Sequence, residues 1–465
     1  MRKAFGLFIL LLALGVGGCY LVYQAVGAQR NQVTIEENVL WGEASVVEDL
    51  TVECRTHYSD YMFWETVYKP GSEEQVTTEF AFSAMPVREE APAEYKGVHL
   101  ESFQVYGFDL NLQEDEHTGL DLAYYELFQE TQPGEEKTKT IRLGDYQEYY
   151  PLSGYVEVPM LSIGLAGRLG RVYPEWTPEM ETLVEYFKIP VLKEETVEIS
   201  ISKNNDGSVY GIGNGSTDSE AFQMWTIGDL TEDACYFVFD AHTTEGNIVD
   251  LSEIKGGYGI YRLPYVNVNE KETKLLVENL EMVYELDPDV RIADLKLSED
   301  KTRLLFTTME QDTIVLTVIK VETMECLQRL EVAKGGNWGC YYGDDFIVWR
   351  LDEDHIGLIS ETADGTYQKE FIVSLWKDVA RPYTLYLSDC AMDWNGEKLV
   401  ISGYQHDDWS GYYNCNFYLA VYDSTGMLYC GDYDSSLIQP ADGNTYNLKC
   451  RPNNYDPLAV SWEDL

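Results

Sequence analysis

The sequence predicts an all-β body behind a single apolar N-terminal helix. Three observations carry this. An uncharged apolar run opens the chain, short alternating segments broken by turn residues fill the rest, and aromatic residues are abundant, with 35 Tyr, 10 Trp and 16 Phe among 465 residues. Aromatic and β-branched enrichment suits strands, whose side chains stand on a pleated, half-buried surface.

The chain opens Met1-Arg2-Lys3, and the run Ala4 to Ala28 follows, broken only by Gln24. Roughly 20 apolar residues cross a bilayer core, so this run is long enough. Two positive charges before it and acidic sequence after it place the N-terminus in the cytoplasm. Three fates are open: an uncleaved anchor, which is favoured; a secretory signal cut after Ala28; or a lipoprotein signal, with Val16-Gly17-Gly18-Cys19 as the lipobox and a lipid on Cys19. Each of them exports the body.

The formal net charge is −47, and all 80 Asp and Glu lie after residue 28. Such a surface excludes nucleic acid, which requires a basic face, and it disfavours lying flat on anionic lipid. Cys19 aside, eight cysteines remain: Cys54, Cys235, Cys326, Cys340, Cys390, Cys415, Cys430 and Cys450. An even count outside the cell permits disulfides, although spacing assigns no pairs. No Cys-x-x-Cys occurs and the six His are scattered, so neither a zinc site nor any other cofactor is expected.

One helix is expected in the body, Thr177 to Phe187. Thr177 caps it, Pro178 takes its first position, and Met180, Leu183, Val184 and Phe187 follow helical spacing. Strands are expected at Thr51 to Arg55, Tyr61 to Tyr68, Thr77 to Ser83, Leu100 to Leu112, Leu120 to Gln129, Thr138 to Leu143, Asp233 to Asp240 and Gly257 to Leu263. Residues 292–333 form the clearest unit. Strands at Ile292–Leu297, Arg303–Thr308, Thr313–Val321 and Cys326–Val332 are separated by turns at Ser298–Lys301, Gln311–Asp312 and Thr323–Glu325. Four short antiparallel strands in this order make one propeller blade. Similar turns recur at Gly343–Asp345 and Trp394–Glu397, a spacing of roughly 45–50 residues that suits such repeats. The body then reads as a propeller of six to eight four-stranded blades, with seven favoured, and Pro457 to Trp462 supplies a closing strand.

Leu297-Ser298-Glu299-Asp300-Lys301-Thr302-Arg303-Leu304-Leu305 resembles the blade pattern of bacterial β-propeller proteins of the TolB-like and YVTN-like kind. The resemblance covers one blade well and two or three loosely. It implies a fold and names no activity. The expected organisation is residues 1–3 cytoplasmic, 4–28 anchor or signal, 29–40 a short linker and 41–465 the extracytoplasmic body. Residues 41–170 read either as further blades or as a separate β domain, and Met85 to Pro92 reads as a loop. The short linker implies that one rim of the body faces the bilayer.

Gly211 to Ser216 and Gly164 to Gly170 read as tight turns, because a phosphate cradle needs a strand before and a helix after. Asn204 to Ser208 reads as a hairpin turn, because the bidentate Glu of a calcium loop is missing. No Gly-x-Ser-x-Gly occurs, and no catalytic residue is singled out. The candidate ligand-binding residues are His406, Asp407, Asp408, Trp409 and Tyr412, on a long loop between strands, with Tyr341 and Tyr342 a weaker pair. Acidic and aromatic groups together suit a sugar or a cation, and long loops on rigid scaffolds carry binding. The expected function is a non-enzymatic, membrane-anchored sensor, binding or scaffold protein of the cell envelope. Its partners would be the membrane and an envelope protein or glycan. The alternatives are a surface glycan or peptide hydrolase or lyase with carboxylates in the propeller channel, and a regulatory partner of a membrane complex.

Overall fold

The computed structural model describes residues 11–21 and 33–463, except 60–61, 82–96, 104–116, 118, 151, 160, 166–177, 193, 217–221, 244–253, 255, 270–271, 288–289, 337–338, 377–386, 408–411, 437–450 and 453–457. Residues 11–21, inside the expected span of 4–28, are α-helical (α1) and exposed. No helix among the described residues is long and apolar enough to cross a membrane. The rest of the expected span, like the Met85–Pro92 loop, lies outside the described residues.

The chain divides into two compact units. One combines Met1–Pro92 with Val332–Leu465, and the other is Ala93–Glu331.

Among the described residues the first unit contains three antiparallel sheets. One is the meander Cys340–Tyr342, Phe346–Arg350, His355–Glu361 and Tyr367–Ser374. The second is the meander Cys390–Trp394, Leu399–Asp407, Tyr412–Asp423 and Gly426–Ser435, extended by Ile35–Gly42, which pairs antiparallel with the last strand from Ile35↔Ser435 to Gly42↔Tyr429. The third is Leu50–Ser59, Met62–Tyr68 and Val76–Ala81, and Ala459–Trp462 pairs with its first strand from Leu50↔Trp462 to Glu53↔Ala459. The segment Pro457 to Trp462, expected as a strand, forms one over Ala459–Trp462, paired with Leu50–Ser59. Pairing between remote strands removes exposed edges.

Two apolar seams join these sheets. Phe346, Val348, Ile356 and Leu358 of the first pack with Met392, Leu399, Ile401 and Tyr422 of the second. Val400, Leu419 and Val421 on the other face of the second pack with Leu50, Val52 and Val460 of the third. Period-two alternation thus sends one strand's side chains to two different cores, which is why 399–407 reads as a nearly unbroken apolar run at its start. Polar ties reinforce the seams: the Trp462 N–H donates to Asp393 Oδ2 at 2.7 Å, and the buried Tyr422 hydroxyl donates to the Leu375 carbonyl at 2.8 Å.

The second unit holds the expected four-stranded meander, Arg291–Leu297, Arg303–Glu310, Thr313–Lys320 and Cys326–Lys334, whose last strand runs past the unit boundary. Its first turn follows directly from sequence. Ser298 Oγ donates to Asp300 Oδ1 at 2.6 Å, the Thr302 N–H donates to the same oxygen at 3.1 Å, and Lys301 takes a left-handed φ of 56°. The Asp side chain supplies the acceptor that a turn demands. An eight-stranded sheet runs Glu272–Leu275, Gly259–Asn269, Ala234–Thr243, Phe222–Leu230, Gly97–Phe103, Leu152–Val158 and Leu161–Leu165, with Glu281–Glu285 also on Gly259–Asn269. A three-stranded sheet comprises Val209–Ser216, Thr196–Lys203 and Glu136–Arg142. These last two depart from the four-stranded blade.

Helices α2 (Gly119–Glu130) and α3 (Pro178–Phe187) complete the unit. The second is the expected helix, and Leu183 and Phe187 on its inner face are buried. The first corrects the expected strand at Leu120–Gln129. Leu120, Ala123, Tyr124, Leu127 and Phe128 all join one apolar core, and their spacing of three, four, seven and eight is helical. The adjacent aromatics Tyr124 and Tyr125 disguised it as a strand. A second correction concerns Gly211–Ser216, expected as a tight turn. It is strand, paired with Val197–Ser202. A Cβ at Gly213 would lie 2.5 Å from the hydroxyl oxygen of its cross-strand partner Ser200, whose side chain would have to turn away. Asn204–Ser208 is the expected hairpin turn, with Asp206 Oδ1 accepting the Ser208 N–H at 2.9 Å and Gly207 at φ +86°.

Candidate functional site

The expected 406–413 loop is shorter than read. His406 and Asp407 are the last residues of strand Leu399–Asp407 and pair with Tyr413 and Tyr412 of strand Tyr412–Asp423. The hairpin ladder therefore continues into the expected loop, and only residues 408–411 separate its two strands in sequence. Asp408 and Trp409 lie outside the described residues, as do the side chains of His406, Asp407 and Tyr412.

Tyr341 is built into a core instead. Its ring stacks on Phe346 with centroids 6.0 Å apart, its hydroxyl donates to the Met392 carbonyl at 3.4 Å, and burial raises its pKa. Met392 pairs with Ile401, five residues along the strand from His406, or about 17 Å at a rise of 3.3–3.4 Å per residue. The fold thus does not bring Tyr341 to the hairpin tip. Tyr342, half-buried, pairs with Ile347. Cys19 is exposed on α1.

The most distinctive cluster of buried ionisable groups among the described residues lies elsewhere, in the second unit. Strand Ala234–Thr243 alternates strictly: Cys235, Phe237, Phe239 and Ala241 face one core, and Ala234, Tyr236 and Val238 face another, shared with Ile292, Leu295, Leu304, Phe306 and Ile319. By the same period, Asp240 and His242 continue the second face. They are buried, at 4% and 8% exposure, and His242 Nδ1 lies 3.3 Å from Asp240 Oδ2. Trp225, the cross-strand partner of Asp240, presents its ring edge-on to His242 at 4.8 Å. The Tyr258 hydroxyl donates to the Val290 carbonyl at 3.0 Å, beside Arg291, whose Nε is buried without a hydrogen-bond acceptor.

Burial raises the pKa of Asp240, while His242, Arg291 and the Ile292 N–H each favour its charged form. Burial lowers the pKa of His242, and Arg291 lowers it further against the pull of Asp240. Burial likewise raises Tyr258. Desolvation thus sets the direction for both members of the Asp–His pair. Its sequence signal, missed above, is an Asp-x-His at same-face positions in an otherwise apolar strand.

Among the described residues no group of three or more His, Cys, Asp or Glu is arranged to hold a metal ion. Cys54, Cys235, Cys326 and Cys430 carry free thiols, so the even count does not translate into pairing among these four. Burial pushes the thiols of Cys54, Cys235 and Cys430 up to about 12, which makes them inert.

No family model matches the chain, and no curated protein matches it. The similar solved structures include the Swd1 β-propeller domain of Myceliophteria thermophila, at 8% identity and a TM-score of 0.26 over 50% of this chain and 80% of that one. The periplasmic gluconolactonase of Pseudomonas aeruginosa is 10% identical with a TM-score of 0.23 over 62% and 76%. TolB of Acinetobacter baumannii is 11% identical with a TM-score of 0.23 over 90% and 85%. Likenesses this distant carry no argument about activity or partners.

Proposed function

We propose that the chain is a single-pass membrane protein whose N-terminus is cytoplasmic and whose acidic β-propeller body acts outside the cytoplasm as a binding or scaffold module of the envelope. The observation that carries the reading is the uncharged apolar run Ala4–Ala28 behind Met1-Arg2-Lys3, with all 80 Asp and Glu after residue 28; the structure adds how the strand that follows the run is held. Ile35–Gly42, which begins seven residues after the apolar run, is built into the sheet of Gly426–Ser435, and Ala459–Trp462 is built into the sheet of Leu50–Ser59. These pairings tie segments remote in sequence into the sheets of the first unit, so the strand that follows the apolar run is held by that unit. The four- and five-stranded sheets serve as blades, and the hairpin tip around His406–Tyr412 serves as the contact for an envelope glycan or protein.

Cys326 supplies the test, because its thiol is exposed. A membrane-impermeant maleimide applied to intact cells is expected to label the full chain, with the signal falling in Cys326→Ser. Cys326-dependent labelling that appears only after lysis would contradict the orientation. For the binding role, envelope glycans are expected to raise the melting temperature of the wild-type chain in a concentration-dependent way and that of His406→Ala/Trp409→Ala much less.

A further inference from the structure

We infer that Val39, Leu40 and Trp41 form a membrane-interface contact, seated at the headgroup–acyl boundary of the bilayer that holds the apolar N-terminal run. The inference rests on the tethered reading above and assigns a surface to it. Val39, Leu40 and Trp41 are 43%, 36% and 39% exposed. Among the described residues beyond α1 they are the one place where three successive large apolar side chains are exposed. Scattered exposed apolar residues are ordinary, but a contiguous set marks a contact surface.

The backbone explains how three neighbours share exposure. The ladder with Gly426–Ser435 shifts between Val39 and Trp41, which pair with Gly431 and Cys430, so Leu40 is the extra residue of a β-bulge. A bulge breaks the alternation of faces and re-aims side chains at a sheet edge. The strand is also firmly placed. Glu37 Oε1 accepts the hydroxyls of Tyr429 at 2.6 Å and Tyr433 at 3.2 Å, so the triplet cannot swing away independently of the body.

Position names the occupant. Only residues 29–34 separate Ala28 from the first strand residue, Ile35. Six residues span at most about 20 Å when extended, and Val39 lies four residues further along the strand, about 13 Å, so the triplet stays within roughly 35 Å of the end of the apolar run and can return to the headgroup layer. Trp favours that layer, where an apolar ring with one polar N–H is at home. Charge selects the mode of contact. A net charge of −47 repels anionic lipid, so the body cannot dock electrostatically, and shallow insertion of a few apolar side chains is the remaining attraction. Such a contact is insensitive to salt, unlike a polybasic one.

The test uses the full chain in zwitterionic phosphatidylcholine–phosphatidylethanolamine liposomes, with flotation confirming that it is bound. A benzoyl-phenylalanine photocrosslinker replaces Trp41 in one variant and Ile372 in another, the latter being 52% exposed on a different sheet. Lipid adducts at position 41 severalfold above those at 372, unchanged by 0.5 M salt, are expected. Equal yields at the two positions, or a protein adduct at 41 in native membranes, would overturn the inference and assign the patch to water or to a partner. A chain that fails to float would remove the tether itself, and the interface contact with it. Independently, brominated lipids are expected to quench wild-type tryptophan fluorescence more than that of Val39→Ser/Leu40→Ser/Trp41→Ser, and equal quenching would count against the contact.

Discussion

Glu37→Ala tests how the first strand of the body is held. Its carboxylate accepts two tyrosine hydroxyls, from Tyr429 at 2.6 Å and from Tyr433 at 3.2 Å. Hydrogen bonds to a charged group contribute about 1.5–3 kcal/mol each. The full double value is not expected, because the two hydroxyls lie 2.6 Å apart and keep each other as partners when the carboxylate is gone. Glu37 is also only half-buried. A loss of about 2 kcal/mol follows, which is roughly 30-fold in the opening equilibrium of the strand. Hydrogen exchange of the full chain in detergent reads that equilibrium locally, without requiring the two units to unfold together. Amide protection across Ile35–Val39 is expected to fall by about that factor in Glu37→Ala and to stay put in Glu36→Ala, whose side chain is exposed. Protection unchanged within twofold in Glu37→Ala would refute the claim that the carboxylate pins the strand.

The Asp240–His242 pair predicts a pH dependence. The folded pKa of His242 is lowered, so its contribution to stability is complete above the unfolded value of about 6.5 and is lost as pH falls through the folded value. Asp240 is raised, and its contribution is present at the acid end and is lost as pH rises through its folded value. Comparing melting temperatures of wild type and His242→Gln between pH 7.5 and 5 isolates the His term: the wild type is expected to lose more on acidification, and parallel curves would count against it. Leu127→Ala removes a fully buried side chain from α2 and is expected to cost about 2–5 kcal/mol, read as a lowered urea midpoint for the second unit. A loss under 0.5 kcal/mol would mean that this helix does not pack as described.

Legibility varied with the range of the signal. The 291–334 meander was readable because every cue is local: the Ser298–Asp300 turn, the alternating strands, and the two-residue turn at Gln311–Asp312, both of whose residues have positive φ. The eight-stranded sheet was not, because Phe222–Leu230 pairs with Gly97–Phe103, and nothing in either segment names a partner more than a hundred residues away. That Ala459–Trp462 is a strand is readable in its alternation, whereas the pairing of Ile35–Gly42 with Gly426–Ser435 is not, because nothing in a stretch that reads as linker names so distant a partner. Helix α2 was readable by spacing but was hidden by aromatic composition. Of the binding candidates, Tyr341 misled for a related reason: an aromatic beside Asp and Gly suggests a loop, yet its hydroxyl is spent on the Met392 carbonyl. The Asp240–His242 pair needed attention to a polar interruption on one face of an apolar strand.

The central claim is that Ala459–Trp462 is built into the sheet of Leu50–Ser59 in the first unit, and cross-strand oxidation tests it most directly. Thr51 and Ser461 are register partners, as are Glu53 and Ala459. Directly opposed residues have Cβ atoms about 4.5–5.5 Å apart, and diagonal ones about 7–8 Å, beyond the reach of a disulfide. Thr51→Cys/Ser461→Cys in the full chain is expected to crosslink on mild oxidation, so that fragments from a single proteolytic cut between the two positions stay joined until reduced. Thr51→Cys/Ala459→Cys, offset by two residues, is expected to remain open. Closure in the offset pair as readily as in the register pair, or in neither, would contradict the account.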